Sequence, residues 1–205
     1  RIGRTHPRRT PLMPYNIPIL LTWLRILAIP LLIAVYYFPD AWMNADERNL
    51  LATTLFIAAA LTDWADGYLA RKLNQTSAFG AFLDPVADKL MVAAALIVLV
   101  QLDRADAIVA TIIIGREITI SALREWMAKI GAAKSVAVSM LGKIKTTAQM
   151  VAIPMLLFHA PVFGLDMQRL GSWLIWIAAA LTLWSMGYYL RMAWPEIAKR
   201  SGESG

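Results

Sequence analysis

The chain contains no cysteine. Disulfides, thiolate metal sites and cysteine nucleophiles are therefore excluded. Charge is also scarce: Asp, Glu, Lys and Arg make up 17% of the residues, and histidine occurs twice. No serine–histidine pair suggests a covalent intermediate, and the one histidine near a predicted span end, His159, reads as an interfacial or hydrogen-bonded residue with no chemistry assigned to it. There is no internal repeat, which argues against a transporter built around a repeat interface, and there is no low-complexity segment. The net charge of +6 comes with no basic soluble module, so nucleic acid is excluded as a partner. Basic residues flanking membrane helices account for the charge, because they set orientation and meet anionic lipids.

What the sequence does have is apolar length. Hydrophobic residues reach 59% and mean hydropathy +0.55, against about 45–50% apolar residues in soluble domains. Several windows carry about 20 residues with few charges, enough to cross a bilayer. The expectation is an all-α integral membrane protein, one membrane domain over residues 1–205, built as a six-transmembrane-helix bundle. The spans fall at roughly 17–38, 49–72, 78–101, 106–128, 140–160 and 170–193, after a cytoplasmic juxtamembrane segment at 1–16. The basic start "RIGRTHPRRT" before an apolar run has the outline of a signal peptide. That run lasts about twenty residues with no small-residue cleavage site behind it, so an uncleaved first span is expected.

Short connectors make successive helices antiparallel neighbours. One side then holds Arg1, Arg4, Arg8, Arg9, Arg71, Lys72, Lys129, Lys134, Lys143, Lys199 and Arg200, and the other only Arg48, Arg104 and Arg169. By the positive-inside rule the N- and C-termini are cytoplasmic. Trp42, Trp126, Trp173 and Trp194 stand near span ends, where aromatic belts anchor to lipid.

Within this apolar chain the stretch "LTDWADGYLARKLNQTSAFGAFLDPVADKL" carries four acids. Asp63, Asp66, Gly67 and Ala70 stand at i, i+3, i+4 and i+7, one face of a helix. Gly80, Asp84 and Asp88 stand at i, i+4 and i+8 on the next. At about 1.5 Å per residue, Asp66 lies roughly 8 Å in from Arg71 and Asp84 roughly 10 Å in from Ser77, so the two stripes share one depth. An intramembrane acid costs about 2.5–3.5 kcal/mol at a helix centre, and facing acids repel one another. Three readings are open: a divalent-cation site, a salt-bridge network, and a path for ions or protons. Carboxylate oxygens suit Mg²⁺, Mn²⁺ or Ca²⁺, and Arg71, Lys72 and Lys89 are too few to neutralise four acids, which favours metal.

These residues match D-x-x-D-G-x-x-A-R-x(8)-G-x-x-x-D-x-x-x-D at every fixed position from Asp63 to Asp88. The pattern resembles the signature of the CDP-alcohol phosphotransferases. The resemblance implies that an acceptor hydroxyl attacks the β-phosphorus of CDP-diacylglycerol and that CMP leaves. It implies Mg²⁺ or Mn²⁺, one or two ions, held by Asp63, Asp66 and Asp84. Asp88 would be the general base and a contact for a second metal. Gly67, Ala70 and Gly80 would leave room for the cytidine and phosphates, Arg71 would pair with phosphate, and a homodimer is implied. The active site would face the cytoplasm from a multi-pass protein of the inner membrane, among membrane lipids.

Three further stretches, "NIPILLTWLRILAIP", "GREI" and "GKIKTTAQ", are similar to the branch of that family that takes glycerol 3-phosphate as acceptor. Asn16 and Thr22 either bond the nucleotide or cap the first helix. Arg25 either pairs with a site carboxylate or snorkels. Arg116 is an intramembrane arginine, a functional candidate by default, and is assigned to the acceptor's phosphate. Its neighbour Glu117 is expected to be a poor partner, since i,i+1 residues do not face each other. Lys143, Lys145 and Arg191 either join the phosphate site or set orientation. The rival readings are a sibling enzyme using inositol phosphate, serine or phosphatidylglycerol, a divalent-cation transporter, and a purely structural bundle.

Overall fold

The computed structural model describes residues 17–73, 78–131 and 140–202. Six α-helices account for nearly all of them: α1 (Ile17–Ala34), α2 (Ala45–Leu73), α3 (Ala78–Gln101), α4 (Ala107–Lys129), α5 (Met140–Phe158) and α6 (Met167–Gly202). A short 3₁₀ turn, Val35–Tyr37, extends α1. It stops at Phe38, which is extended (φ −66°, ψ 145°), the backbone forced on a residue preceding a proline, here Pro39.

Local chemistry sets the helix ends. At the start of α2, Asn44 and Glu47 satisfy each other's backbone: the Glu47 N–H donates to Asn44 Oδ1, and the Asn44 N–H to Glu47 Oε2, each at 2.9 Å. This reciprocal cap begins the helix four residues before the apolar run that marks the predicted span. Asp106 caps α4 by accepting from the Ile108 N–H at 2.7 Å, and Asp166 caps α6 by accepting from the Arg169 N–H at 2.9 Å. Two residues past the end of α4, Gly131 has a φ of +76°, the left-handed conformation that closes many helices. α6 continues through Pro195 to Gly202, beyond the predicted end at 193, because a helix need not stop where its apolar stretch stops.

α5 packs along α6, α1 lies against α2 and α3, α2 also meets α5, and α4 leans on α6. Phe56, Leu99, Ile113 and Leu156 belong to one buried core between them. At Gly171 of α6 an added Cβ would come within 2.8 Å of Leu156 Cγ, so the α5–α6 contact is a close one that a small residue permits.

The surface is inverted relative to a soluble protein. Leu20, Leu27, Trp173 and Trp184 are exposed, while Thr22, Arg25, Arg116 and Lys145 are buried. A soluble monomer rarely exposes so much large apolar surface. Leu20–Tyr37 and Met167–Pro195 are long and apolar enough to cross a bilayer, and Ile144–Phe158 is a shorter apolar helix. The architecture is thus all-helical and consistent with a membrane protein.

One end of the bundle is tied by Arg104, in the α3–α4 connection. Its Nη1 donates to Asn49 Oδ1 at 2.9 Å and to the carbonyls of Leu157 at 2.9 Å and Leu156 at 3.4 Å. Those carbonyls belong to the last turn of α5, where a cation satisfies free acceptors and the helix dipole together. Tyr36 donates to the same Asn49 oxygen at 3.4 Å, and Gln168 Nε2 donates to the Arg104 carbonyl at 3.1 Å. The guanidinium therefore ties α2 to α5, and the bonds around it draw in the 3₁₀ turn and α6, at the end opposite the acids.

Candidate active site

The acidic stripes lie on the C-terminal half of α2 and the N-terminal half of α3, and α1 crosses both. Arg25 on α1, 2% exposed, pairs through Nη1 with Asp63 Oδ1 at 2.8 Å. One turn earlier, the buried Thr22 hydroxyl donates to Asp84 Oδ1 at 2.5 Å. The spacing from Thr22 to Arg25 is i,i+3, which puts both side chains on one face of α1, and each holds an acid from a different helix. Of the two options for Arg25, pairing with a site carboxylate is the one observed. The partner of Thr22 is an acid of the signature, so its hydroxyl orients Asp84.

Asp88 makes no hydrogen bond or ion pair with any described residue, yet it lies within electrostatic reach of Asp63, Arg25, Glu117 and Lys89. A small recess beside it is lined by Arg25, Phe56, Ala59, Met91 and Met150. Asp63 is 44% exposed at its side chain. The recorded partners of Asp63 and Asp84 use one oxygen of each carboxylate, so an oxygen remains available on both. Among the described residues no three acids stand close enough together to hold a metal ion unaided.

Gly80 is buried near the start of α3. Asp66, Gly67, Ala70 and Arg71 fall in the C-terminal stretch of α2, but their side chains lie outside the described residues, as does that of Lys143 at the start of α5. Asn16 lies outside the described residues altogether.

A second polar group forms between α4, α5 and α6. Arg116, 6% exposed, donates from Nη1 to Glu117 Oε1 at 2.8 Å. Lys145, 2% exposed, donates to that same oxygen at 2.7 Å. Arg116 Nη2 also reaches Ser185 Oγ at 3.4 Å, and its guanidinium lies 5.7 Å from the ring centre of Tyr189. Arg116 and Lys145 are therefore brought together, whereas Arg191 is exposed on α6.

The Arg116–Glu117 contact corrects the expectation that adjacent residues make poor partners. Their Cβ atoms diverge around the helix, but two long side chains in surroundings poor in water bend back to meet. Glu117 is the functional candidate that sequence reasoning passed over. The available signal was its place as the lone acid in mid-α4, with two cations needing a counter-charge.

Buried cations paired with partly exposed acids, in an all-helical molecule with an apolar exterior, define a polar site in a structure consistent with a membrane protein. The chain belongs to the CDP-alcohol phosphatidyltransferase family, whose model matches residues 15–184. It is 48% identical over 183 residues to proteins of Salmonella choleraesuis (strain SC-B67), Shigella flexneri and Escherichia coli (strain K12). Each alignment covers 88% of this chain and 96% of the relative, and each relative is named CDP-diacylglycerol–glycerol-3-phosphate 3-phosphatidyltransferase.

Proposed function

We propose that the protein transfers the phosphatidyl group of CDP-diacylglycerol to glycerol 3-phosphate, giving phosphatidylglycerophosphate and CMP. The observation that carries this reading is the position of Asp88. It shares a small recess with Arg25 of α1 and Met150 of α5, and feels the charges of both Asp63 and Glu117, the anchor of Arg116 and Lys145. A base at that junction touches both the nucleotide-lipid's diphosphate and the acceptor.

Asp88, with no competing partner among the described residues, takes the proton of the acceptor hydroxyl. The acceptor oxygen bonds to the β-phosphorus, the bridging bond to the α-phosphate breaks, and CMP leaves with that electron pair. Because Asp88 is a base and not a nucleophile, the transfer is direct within a ternary complex. Arg116 and Lys145, joined by Lys143, bind the acceptor's phosphate, while the exposed Arg191 sets orientation. Gly67, Ala70, Gly80, Arg71 and Asn16 accommodate the cytidine and diphosphate, with Thr22 acting through Asp84.

The donor set fits Mg²⁺ or Mn²⁺: it is all carboxylate, and the described members each keep a free oxygen. Asp63, Asp66, Asp84 and Asp88 would hold one or two ions, with Asp66 completing a set that the described acids do not complete alone. The metal, when bound, supplies charge neutralisation for the diphosphate and the leaving CMP.

The six helices serve as six spans of one membrane domain. Arg48, Arg104 and Arg169 gather at the end away from the acids, while Lys129 closes α4 at the acid-bearing end. This supports cytoplasmic termini and an active site opening to the cytoplasm from the inner membrane. An apolar groove between α1 and α2, lined by Leu24, Leu27, Leu31 and Leu55 together with Arg25, suits a lipid chain whose headgroup reaches the acids. The protein acts as a homodimer among membrane lipids.

The test offers labelled glycerol 3-phosphate, serine, inositol phosphate and phosphatidylglycerol in turn, each with CDP-diacylglycerol, and with divalent metal withheld and then restored. CMP release with glycerol 3-phosphate alone, dependent on metal, is expected. Preference for another acceptor overturns the assignment, and cation flux without lipid substrate would revive a transporter.

A further inference from the structure

Two cations buried side by side repel strongly where water is scarce, and their coexistence requires an anion between them. Glu117 provides it with a single atom: Oε1 accepts from both Arg116 Nη1 and Lys145 Nζ, at 2.8 and 2.7 Å. The bond to Arg116 lies within α4, and the bond to Lys145 crosses to α5, so one carboxylate fixes the separation of two cations carried by different helices. Without it their spacing would depend on helix packing alone.

The trio keeps an excess of positive charge and a surplus of donors. Arg116 Nε is buried and makes no hydrogen bond. A lysine ammonium has three N–H donors, and among the described residues Lys145 gives one of them to Glu117 and the others to no one. Unfilled buried guanidinium N–H groups also occur at Arg48 and Arg124; what sets Arg116 apart is the second buried cation on the same carboxylate oxygen. The Glu117 side chain is 27% exposed, so the cluster opens on one side.

We propose that Glu117 is a positioning residue for the acceptor: it holds Arg116 and Lys145 at the spacing that neighbouring oxygens of one phosphate require. It acts through the two cations and makes no contact with the acceptor, since a carboxylate repels a phosphate dianion. This inference rests on the reading of the acceptor as a phosphate-bearing alcohol. It predicts that the charge of Glu117 governs acceptor affinity and leaves the lipid substrate's affinity alone.

The test compares wild type with Glu117→Gln, which keeps size and acceptor oxygen but loses charge, and with Glu117→Asp, which keeps charge at shorter reach. The full chain is assayed in mixed micelles. KM is measured for glycerol 3-phosphate and for CDP-diacylglycerol, and inorganic phosphate serves as a competitive inhibitor. The expected result for Glu117→Gln is a KM for glycerol 3-phosphate raised about tenfold or more, the range typical of losing an outer-shell partner. Inhibition by inorganic phosphate weakens in parallel, with kcat and the CDP-diacylglycerol KM within about threefold of wild type. Glu117→Asp falls between.

An unchanged glycerol 3-phosphate KM overturns the proposal. So does a lowered one, which would make Glu117 a competitor of phosphate. So does a uniform fall in kcat with both KM values raised, the mark of a structural role. If Glu117→Gln fails to fold, Glu117→Asp is judged by the same split. A wild type that ignores glycerol 3-phosphate but uses an uncharged acceptor refutes the acceptor reading itself, independently of either variant.

Discussion

Thr22→Val probes the link between α1 and the acids with the least collateral change. Valine matches threonine in shape, so the buried site gains no cavity, and the Arg25–Asp63 pair beside it stays. What disappears is the hydroxyl that donates to Asp84 Oδ1 at 2.5 Å. A hydrogen bond to a charged group contributes about 1.5–3 kcal/mol. Each 1.36 kcal/mol of transition-state stabilisation is about tenfold in rate, so complete transmission would lower kcat/KM by roughly 10- to 100-fold. That matches the loss expected when the outer partner of a metal-ligating carboxylate is removed. The Mg²⁺ concentration for half-maximal activity rises with it, because Asp84 is free to turn away from the position it must occupy. Thr22→Ser, which restores the hydroxyl, recovers activity to within a few-fold. CMP release from CDP-diacylglycerol, measured across a Mg²⁺ titration for all three proteins, reads both quantities. A Thr22→Val enzyme with wild-type kcat/KM and wild-type Mg²⁺ dependence would refute the reasoning. A lowered melting temperature with neither kinetic change would reduce the hydroxyl to a helix tie.

Asp88→Asn keeps shape and removes the base, so kcat should fall by about 10²–10⁴-fold while CDP-diacylglycerol still binds, as equilibrium dialysis of the lipid analogue would show. Arg104→Ala leaves the Leu156 and Leu157 carbonyls without their Arg104 donor and Asn49 Oδ1 with only the long bond from Tyr36; a stability loss of about 1–3 kcal/mol is expected, read as a lower unfolding midpoint with substrate KM values unchanged. Gly171→Ala forces a Cβ against Leu156, at an overpacking cost of about 1–3 kcal/mol, and thermal unfolding followed by circular dichroism should show it; a midpoint equal to wild type would mean that Leu156 swings aside freely.

Much of the site could be read along the chain because it is local. The signature occupies two successive helices, and the structure ties an acid from each, Asp63 and Asp84, to one face of α1. The helix starts were less visible: the Asn44–Glu47 cap lies outside the apolar run, so a reading guided by membrane length begins α2 late. Long-range pairings were not legible. Arg104 meets Asn49 and Leu157, and Thr22 meets Asp84, across separations of 53 to 62 residues, which depend on how the helices pack. Glu117 was missed for a different reason. The rule about neighbouring residues concerns where side chains leave the helix, and it fails when both are long enough to return to a shared partner such as Lys145.

The distribution of indoles has a practical consequence. Trp23, Trp42, Trp126, Trp173, Trp176, Trp184 and Trp194 are all exposed, between 37% and 75%. Ultraviolet emission from this protein therefore gauges its host medium more than its interior. Brominated lipids should quench it stepwise with bromine depth, yielding a ruler for immersion, whereas loosening of the core would pass nearly unseen in the same spectrum.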